Sequence, residues 1–338
     1  MKRTLIWGAL VGALVLPLAL SSAQAQSDYY KGKAVSIVIG AKSGSLAVAA
    51  QLVARHIGRH IPGTPTVVFR QMPGGAHLNA TNHIYNVADA DGLTILAANP
   101  NVAMGQLAKL PNVRFDINKY IWLGSSGSDG SMFAIRSSLP YKTWQELKDS
   151  GKELIAGTTG PGSNAYDMPL LLKEFAGLKV RLVAGYAANS DILLAVERQE
   201  ADTWAALATT VQLAIDRGSV RPLVRSRTPV PGWNELPVDE SLATSDVGRS
   251  LMALRGIPQS IGRAFAVRPG TPADRVAILR DAIAKTLNDP QFQAESKKAK
   301  IHMQHISADD VTRMFKELMN QPPSVLEAMR KYLKVGAG

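Results

Sequence analysis

The sequence predicts an α/β protein of two lobes, each a mostly parallel sheet flanked by helices, with a ligand cleft between the lobes. Two observations carry this prediction. Short apolar runs alternate with segments of helical periodicity along most of the chain, and strands that alternate with helices form parallel βαβ units. One strand–turn–helix plan also occurs twice, around Gly40 and around Gly160. The length of 338 residues suits two domains of about 150 residues each.

The first unit, residues 35–61, shows the plan most clearly. An apolar run at 35–39 leads into the turn 40–45, and apolar residues then recur three or four positions apart until Pro62. This pattern predicts a buried strand, a tight turn and an amphipathic helix with Ser45 as its N-cap. The first amides of such a helix have no partner within it and its dipole favours negative charge, so the turn can hold a carboxylate or phosphate.

The remaining elements follow in order. Further strands are predicted at residues 66–69, 93–97, 154–156, 180–183, 201–204 and 264–267, with helices at 77–87, 165–175 and 273–287. The apolar runs 121–124 and 132–135 flank the Ser/Gly-rich segment 125–131, where the chain is expected to cross between the lobes. Residues 26–124 and 264–338 are assigned to the first lobe and residues 125–263 to the second. The region of Gly124 and the return near Ala264 are candidate hinges.

The N-terminus has the features of an export signal. Lys2 and Arg3 precede an apolar stretch at residues 5–20, and Ala23-Gln24-Ala25 fits cleavage after a small residue. The alternative is an uncleaved membrane anchor, but the short apolar stretch and the cleavage-like site favour a signal peptide over residues 1–25. We therefore expect a periplasmic protein.

Composition and charge exclude several classes. The chain has no cysteine, so it is not a disulfide-stapled secreted domain. Its formal charge of +11 falls to +9 once Lys2 and Arg3 are removed. Lys and Arg are scattered and do not alternate with aromatic residues, which argues against nucleic acid as a partner. An acidic small molecule is the partner that this charge favours.

The two Gly-rich turns do not match known catalytic or nucleotide motifs. Residues 40–44 lack the order of a phosphate-binding P-loop, and residues 160–163 lack the G-x-S-x-G elbow of a serine hydrolase. Either turn alone can be an ordinary βα connection. Two similar turns, one in each lobe of an exported basic protein, favour a pair of anion-binding edges. A secreted hydrolase using Ser43 or Ser163 is the alternative from another class; no residue is assigned as catalytic.

The histidines do not predict a metal site. His56 and His60 stand one helical turn apart, but no H-E-x-x-H pattern accompanies them, and His302 and His305 are equally unsupported. Capping or surface polarity explains them better. Neither a metal nor a cofactor is expected.

The predicted ligand site combines both turns with residues at strand ends. Amides and hydroxyls of the turns are expected to bind a carboxylate, Lys42 to add charge, Asn99 and Asp202 to select further polar groups, and Tyr186 to pack on the ligand. The full set is Lys42, Ser43, Gly44, Ser45, Asn99, Thr159, Gly160, Gly162, Ser163, Asn164, Tyr186 and Asp202.

Several passages also resemble one protein family, in the same order along the chain. They are Tyr30-Lys31-Gly32-Lys33, residues 56–63, Met72-Pro73-Gly74-Gly75, and residues 84–88, 160–163, 185–186, 194–200, 266–273 and 288–292. In these passages the chain resembles the tripartite tricarboxylate transporter (TTT) substrate-binding proteins, the Bug-type solute receptors. The resemblance covers nearly all of the chain after the signal.

The resemblance implies a periplasmic receptor of the type II binding-protein fold, expected to be a monomer. Such a receptor captures an organic acid and delivers it to a membrane permease; an orphan sensor that presents the acid to a membrane kinase would have the same fold. In the family, the turns corresponding to residues 41–46 and 159–164 hold the carboxylate of the ligand, partly through water. The chain departs from the family where Ala47 and Gln51 replace an Asp and an Arg, and where Lys42 is added.

Overall fold

Two five-stranded sheets flanked by helices make up the part of the protein that the computed structural model describes, residues 29–333. The predicted signal peptide lies outside these residues. No helix in the described range is long and apolar enough to cross a membrane. The two sheets confirm the predicted fold class.

The first sheet has the strand order β2-β1-β3-β10-β4. Its strands are β1 (Ala34–Ile39), β2 (Thr66–Gln71), β3 (Thr94–Ala98), β4 (Ile121–Ser125) and β10 (Ala264–Val267). β1 pairs in parallel with β2 and β3, with Val35 opposite Val67. All residues of β1 after Ala34 are buried, as its continuous apolar run predicts.

The second sheet has the order β7-β6-β8-β5-β9. Its strands are β5 (Ser131–Arg136), β6 (Leu154–Thr158), β7 (Val180–Ala184), β8 (Thr203–Leu207) and β9 (Val220–Arg225). β6 runs parallel to β7 and β8.

Thirteen α-helices lie within the described range. They are α1 (Ser45–Ile57), α2 (Leu78–Asn86), α3 (Val102–Leu107), α4 (Trp144–Ser150), α5 (Asn164–Ala176), α6 (Asn189–Glu197), α7 (Ala208–Asp216), α8 (Asp239–Leu242), α9 (Asp246–Ile261), α10 (Ala273–Asn288), α11 (Pro290–Lys298), α12 (Ala308–Met319) and α13 (Pro323–Leu333). Three short 3₁₀ turns complete the set, at Gly58–His60, Gly75–His77 and Ile117–Lys119.

Each sheet is mixed, with two parallel and two antiparallel pairings. The antiparallel member is in both cases a strand that arrives from the other sheet. β10 enters the first sheet after α9 and runs antiparallel to β3 and β4, and β5 enters the second sheet after β4 and runs antiparallel to β8 and β9. The sheets are thus less parallel than an uninterrupted βαβ pattern suggests, because the chain exchanges strands between them.

The strand exchange places the carboxyl edges of the two sheets next to each other. The segment after β4 leaves the first sheet at Ser125 and enters the second at Ser131, which lies opposite Leu207 at the carboxyl end of β8. β10 begins at Ala264, opposite Ala98 at the carboxyl end of β3. In open α/β sheets ligands bind at such carboxyl edges.

Three chain passages meet where the sheets are joined. Ser126 N–H donates to Arg263 O at 3.0 Å and Gln304 N–H donates to Ser126 O at 3.3 Å. The passages around Gly127 and Gly262 pack closely: a Cβ added to Gly262 would lie only 2.0 Å from Gly127 O. Two of these passages lie near the predicted hinges; the third, around Gln304, was not anticipated from the sequence.

The last helix packs on the second sheet's helices. α13 lies against α5 and α9, and the rings of Phe175 and Tyr332 meet edge to face with centroids 4.9 Å apart. Tyr30, at the start of the described chain, is buried in the core around β1 and α1. The domain boundaries given by the sequence remain a prediction.

Candidate functional site

The turn after β1 presents the start of α1 without a side-chain cap. The helix begins at Ser45, and its N-cap residue is Gly44, which has φ 94° and ψ 175°. The prediction that Ser45 is the N-cap is therefore wrong: the residue is already helical, and its hydroxyl is directed elsewhere. Among the described residues no side chain accepts from the first amides of α1, so this end of the helix favours an anion.

The hydroxyl of Ser45 instead reaches a carboxylate in the crossover between the sheets. Ser45 Oγ lies 3.5 Å from Asp129 Oδ2. The Asp129 carboxylate also accepts from the hydroxyl of Thr209 at 2.6 Å and from the amide of Thr209 at 3.3 Å. It thereby caps the start of α7. Arg263 Nη1 lies 3.3 Å from the same carboxylate. Asp129 thereby connects the first turn to the second lobe.

Asp129 and Arg263 form a buried ion pair. Their side chains are only 4% and 3% exposed. Burial raises the pKa of Asp129, whereas the Arg263 charge and the hydrogen bonds from Thr209 oppose this shift. A guest anion bound near Ser45 would therefore lie close to a resident negative charge that Arg263 partly neutralises.

Contacts continue from Asp129 to the turn after β6. The amide of Asp129 donates to Gln259 O at 3.1 Å, and Gln259 Nε2 donates to Asn164 Oδ1 at 3.1 Å. Asn164 is the first residue of α5 and ends the second predicted turn. Ser45 and Asn164 are thus linked through only two intervening residues, which brings the two turns to the same region between the sheets.

Several hydrogen-bonding groups of the second turn are already paired, either within the turn or with the first residues of α5. Ser163 caps α5 by accepting from Tyr166 N–H at 3.2 Å and donates its hydroxyl to Gly160 O at 2.8 Å. Gly162 N–H donates to Asp167 Oδ1 at 3.0 Å. Burial raises the pKa of Asp167 to about 7. The donors at this turn that have no partner among the described residues include the side-chain amide of Asn164.

Other predicted site residues lie at the same edges. Lys42 and Ser43 are exposed, and Lys42 O accepts from Gln71 Nε2 at 2.7 Å. Asn99 follows β3, where its Oδ1 accepts from Asn101 N–H at 3.0 Å. The ring of Tyr186 packs on Gly157 near the end of β6, since a Cβ there would lie 3.0 Å from the ring. Thr159 and Gly160 are half-buried in the second turn.

Asp202 lies at the opposite edge of the second sheet. It precedes β8 and accepts from Ile155 N–H at 2.9 Å, at the beginning of β6. Its other oxygen pairs with Arg136 Nε at 3.0 Å. The structure does not bring Asp202 together with the two turns, and its carboxylate already has partners.

Five residues near the turns were missed by sequence reasoning: Asp129, Thr209, Arg255, Gln259 and Arg263. Arg255 and Gln259 stand one turn apart on the buried face of α9, beside Leu251 and Met252. Two polar residues on an otherwise apolar helix face are a signal that the sequence does contain, because buried polar side chains need partners.

Two histidines, His56 and His60, contact carboxylates of the chain. His56 Nε2 lies 3.1 Å from Glu295 and His60 Nε2 lies 3.1 Å from Asp289. No group of three potential metal ligands occurs among the described residues.

Neither turn serine is paired with a base in the described part of the protein. The hydroxyl of Ser163 is used as a helix cap, and no described histidine is hydrogen-bonded to Ser43 or Ser163. His77 packs against Gly40, and its buried Nδ1 has no hydrogen-bond partner between residues 29 and 333. Burial lowers its pKa to about 4, so the imidazole is neutral at pH 7.

Two open surface concavities lie away from this region. One, of about 820 Å³, runs along α12 between Asn118 and Asn320. The other, of about 330 Å³, lies between α1 and α11 beside Glu295. Neither is lined by Ser45, Asp129 or Asn164, whose contacts lie between the sheets, where buried polar groups converge.

Comparison with solved structures identifies proteins of the same fold. The TctC solute-binding protein from Polaromonas superposes with a TM-score of 0.65 at 14% identity, covering 89% of this chain and 99% of that one. The periplasmic binding protein BugD gives 0.67 at 19% identity, with 90% and 99% covered. Rpa4515 of R. palustris, solved with adipate, gives 0.69 at 17% identity, with 90% and 98% covered.

No family model and no curated protein matches the sequence. The sequence identities to the solved structures are low, so these comparisons establish the fold. They agree with the resemblance found in the sequence. The structural neighbours of this chain are TctC- and BugD-type solute-binding proteins, and the chain shares their two-lobed fold.

Proposed function

We propose that the protein is a periplasmic receptor that binds a small organic acid between its lobes and delivers it to a tripartite tricarboxylate-type permease. The observation that carries the proposal is the uncapped start of α1 at a turn that contacts the second lobe through Asp129. A helix start with free amides favours a carboxylate. The adipate bound to Rpa4515 is of this chemical class.

The proposed site comprises the predicted turn residues without Asp202. On the first lobe these are Lys42, Ser43, Gly44 and Ser45, with Asn99 nearby. On the second lobe they are Thr159, Gly160, Gly162, Ser163 and Asn164, with Tyr186 packed beside the turn. The amide of Gly162 is already bonded to Asp167, so Gly162 would shape the turn and would not donate to the ligand.

Binding requires the lobes to separate and close again. Ser45 and Thr209 each contact the Asp129 carboxylate, so separation of the lobes is expected to break the Ser45–Asp129 contact. A ligand that binds the closed form better than the open form shifts the population toward closure, and the permease can recognise that form.

A melting-temperature screen tests the proposal. Mono-, di- and aromatic carboxylates, adipate among them, are each added at 5 mM. An acid present at 100 times its Kd stabilises the folded state by about 2.7 kcal/mol, and at least one acid is expected to raise the melting temperature by several degrees.

Lys42→Gln is the site variant for this screen, and Lys119→Gln is its matched control. Lys119 is also exposed, but it precedes β4 at the opposite edge of the first sheet. The site variant is expected to weaken binding and the control to leave it unchanged. A panel without any stabilising acid, or labelling of wild type but not Ser163→Ala by a fluorophosphonate, would contradict the receptor proposal.

A further inference from the structure

Asn164, at the second turn, accepts two hydrogen bonds from one helix. Arg255 Nη1 donates to Asn164 Oδ1 at 3.2 Å and Gln259 Nε2 donates to the same atom at 3.1 Å. Arg255 and Gln259 lie one helical turn apart on α9 and are only 4% and 3% exposed. Both donors are therefore fixed on the same buried face.

The chemistry of arginine determines how the Asn164 amide is oriented. A guanidinium has only donors, so the atom of Asn164 that faces Arg255 has to be the oxygen. The nitrogen Nδ2, with its two N–H groups, then points away from α9. It donates to none of the described residues, and Asn164 is half-buried at the interlobe region.

Arg255 is itself held in place. It forms a buried ion pair with Asp239 and donates to Ser131 Oγ at 3.0 Å. Gln259 Oε1 and Arg255 Nε have no hydrogen-bond partner among the described residues. Because Arg255 is anchored by Asp239 and Ser131, its contact fixes the amide oxygen of Asn164 toward α9.

We propose that Arg255 and Gln259 are positioning residues that hold the Asn164 side chain as an amide donor toward the guest. The site then accepts a carboxylate oxygen at this point and discriminates against a guest that presents only donors, such as an ammonium group. This inference rests on the proposed function, because it assigns a selectivity to the same site.

The orientation can be tested without any ligand by comparing Asn164→Asp with Asn164→Leu in urea unfolding. An aspartate keeps an acceptor for Arg255 and Gln259, so its unfolding midpoint is expected to equal or exceed that of wild type. Leucine removes the acceptor and is expected to lower the midpoint. If Asn164→Asp unfolds as readily as Asn164→Leu, the assigned orientation is wrong, whether or not the protein binds acids.

The selectivity is tested with adipate and hexane-1,6-diamine, a guest of similar length that has ammonium ends. Wild type is expected to bind adipate at least tenfold more tightly than the diamine by calorimetry. Asn164→Asp is expected to weaken adipate binding at least tenfold and to narrow or invert the preference. Gln259→Met, which removes one of the two orienting donors, is expected to reduce the adipate-to-diamine ratio several-fold while retaining the fold.

Asn234→Asp is the matched control. It makes the same change of charge in the same lobe, and its Oδ1 also accepts one structural bond, from Val230 N–H at 3.0 Å. Its affinity for adipate is expected to stay within twofold of wild type. Adipate affinity within threefold of wild type in Asn164→Asp, or an unchanged preference in Gln259→Met, would overturn the inference. A wild type that binds no acid would instead refute the proposed function, with the unfolding comparison still deciding the orientation.

Discussion

At the second turn, the carboxyl of Asp167 links the geometry of the turn to its own protonation state. Asp167 is 5% exposed and bonds the amide of Gly162. Burial raises its pKa to about 7, with Arg255 acting in the opposite direction. The native protein therefore binds a proton at Asp167 between about pH 4 and pH 7, where the same carboxyl in the unfolded chain has lost it.

Asp167→Asn should remove a pH dependence of stability. In wild type, the contribution of Asp167 to the free energy of unfolding is fully present below about pH 4 and is lost as the pH rises to about 7. The loss amounts to roughly 4 kcal/mol for a pKa that rises from 3.8 to about 7. Urea unfolding of both proteins from pH 4 to pH 8 measures the difference. Asp246→Asn, at a fully exposed carboxylate, should retain the wild-type slope, and an equal slope in Asp167→Asn would contradict the prediction.

Gly44→Ala tests the backbone of the first turn. Gly44 has φ 94° and ψ 175°, a region open essentially only to glycine, where another residue costs about 1–3 kcal/mol. No atom of the described part of the chain lies within 4 Å of the added Cβ, so the expected effect is conformational and not steric. We expect a lower urea midpoint together with weaker binding of a carboxylate.

Gly232→Ala is the control for this strain. Gly232 has φ 82° and similar free space around a Cβ, but it lies in the loop before α8. The Gly232→Ala variant should have a lower urea unfolding midpoint and unchanged carboxylate binding. Equal affinity in Gly44→Ala and wild type would show that this turn does not bind the acid.

At the scale of elements, the sequence predicted most strands and helices because their signal is local. The strand at residues 264–267 matches β10, and the strand at 35–39 differs from β1 by one residue. The prediction of a cap at Ser45 was wrong because α1 already includes Ser45 and its N-cap is Gly44; the Ser45 hydroxyl lies 3.5 Å from Asp129, 84 positions away in the sequence. The Asp129–Arg263 pair and the Arg255–Asn164 contact join residues 134 and 91 positions apart. Such contacts leave no periodicity in the sequence, so the two turns were predicted but the network between them was not.

The position of α9 depends on one buried ion pair. The side chains of Arg255 and Asp239 are 4% and 2% exposed. Removing one partner leaves a buried charge uncompensated, so Asp239→Ala should lower the free energy of unfolding by about 3–5 kcal/mol. Chemical denaturation at pH 7 measures this change.

Arg249→Ala is the matched control on the same helix. Its side chain is 55% exposed and lies 4.0 Å from Asp246, so its loss should change stability by less than about 1 kcal/mol. A similar small change in Asp239→Ala would show that the buried pair does not hold α9 in place.

At the scale of the whole molecule, three passages connect the lobes through backbone hydrogen bonds near Ser126, Arg263 and Gln304. Two flexible linkers would allow many relative orientations. We propose that three bonded passages with closely packed glycines limit the lobes to rotation about this crossing, as in hinge closure. We therefore expect closure to occur around these residues, which include the neighbourhoods of Gly124 and Ala264.

The described chain starts in one half of the molecule and finishes on the other. Tyr30 is buried in the core of the first sheet, whereas Tyr332 packs on Phe175 of the second. Because the natural sequence contains no cysteine, the variant Lys31→Cys/Lys331→Cys offers two unique attachment points for a fluorescent donor and acceptor. A change in energy transfer on adding adipate would then turn the protein into an optical reporter of its own occupancy, with no need to label the guest.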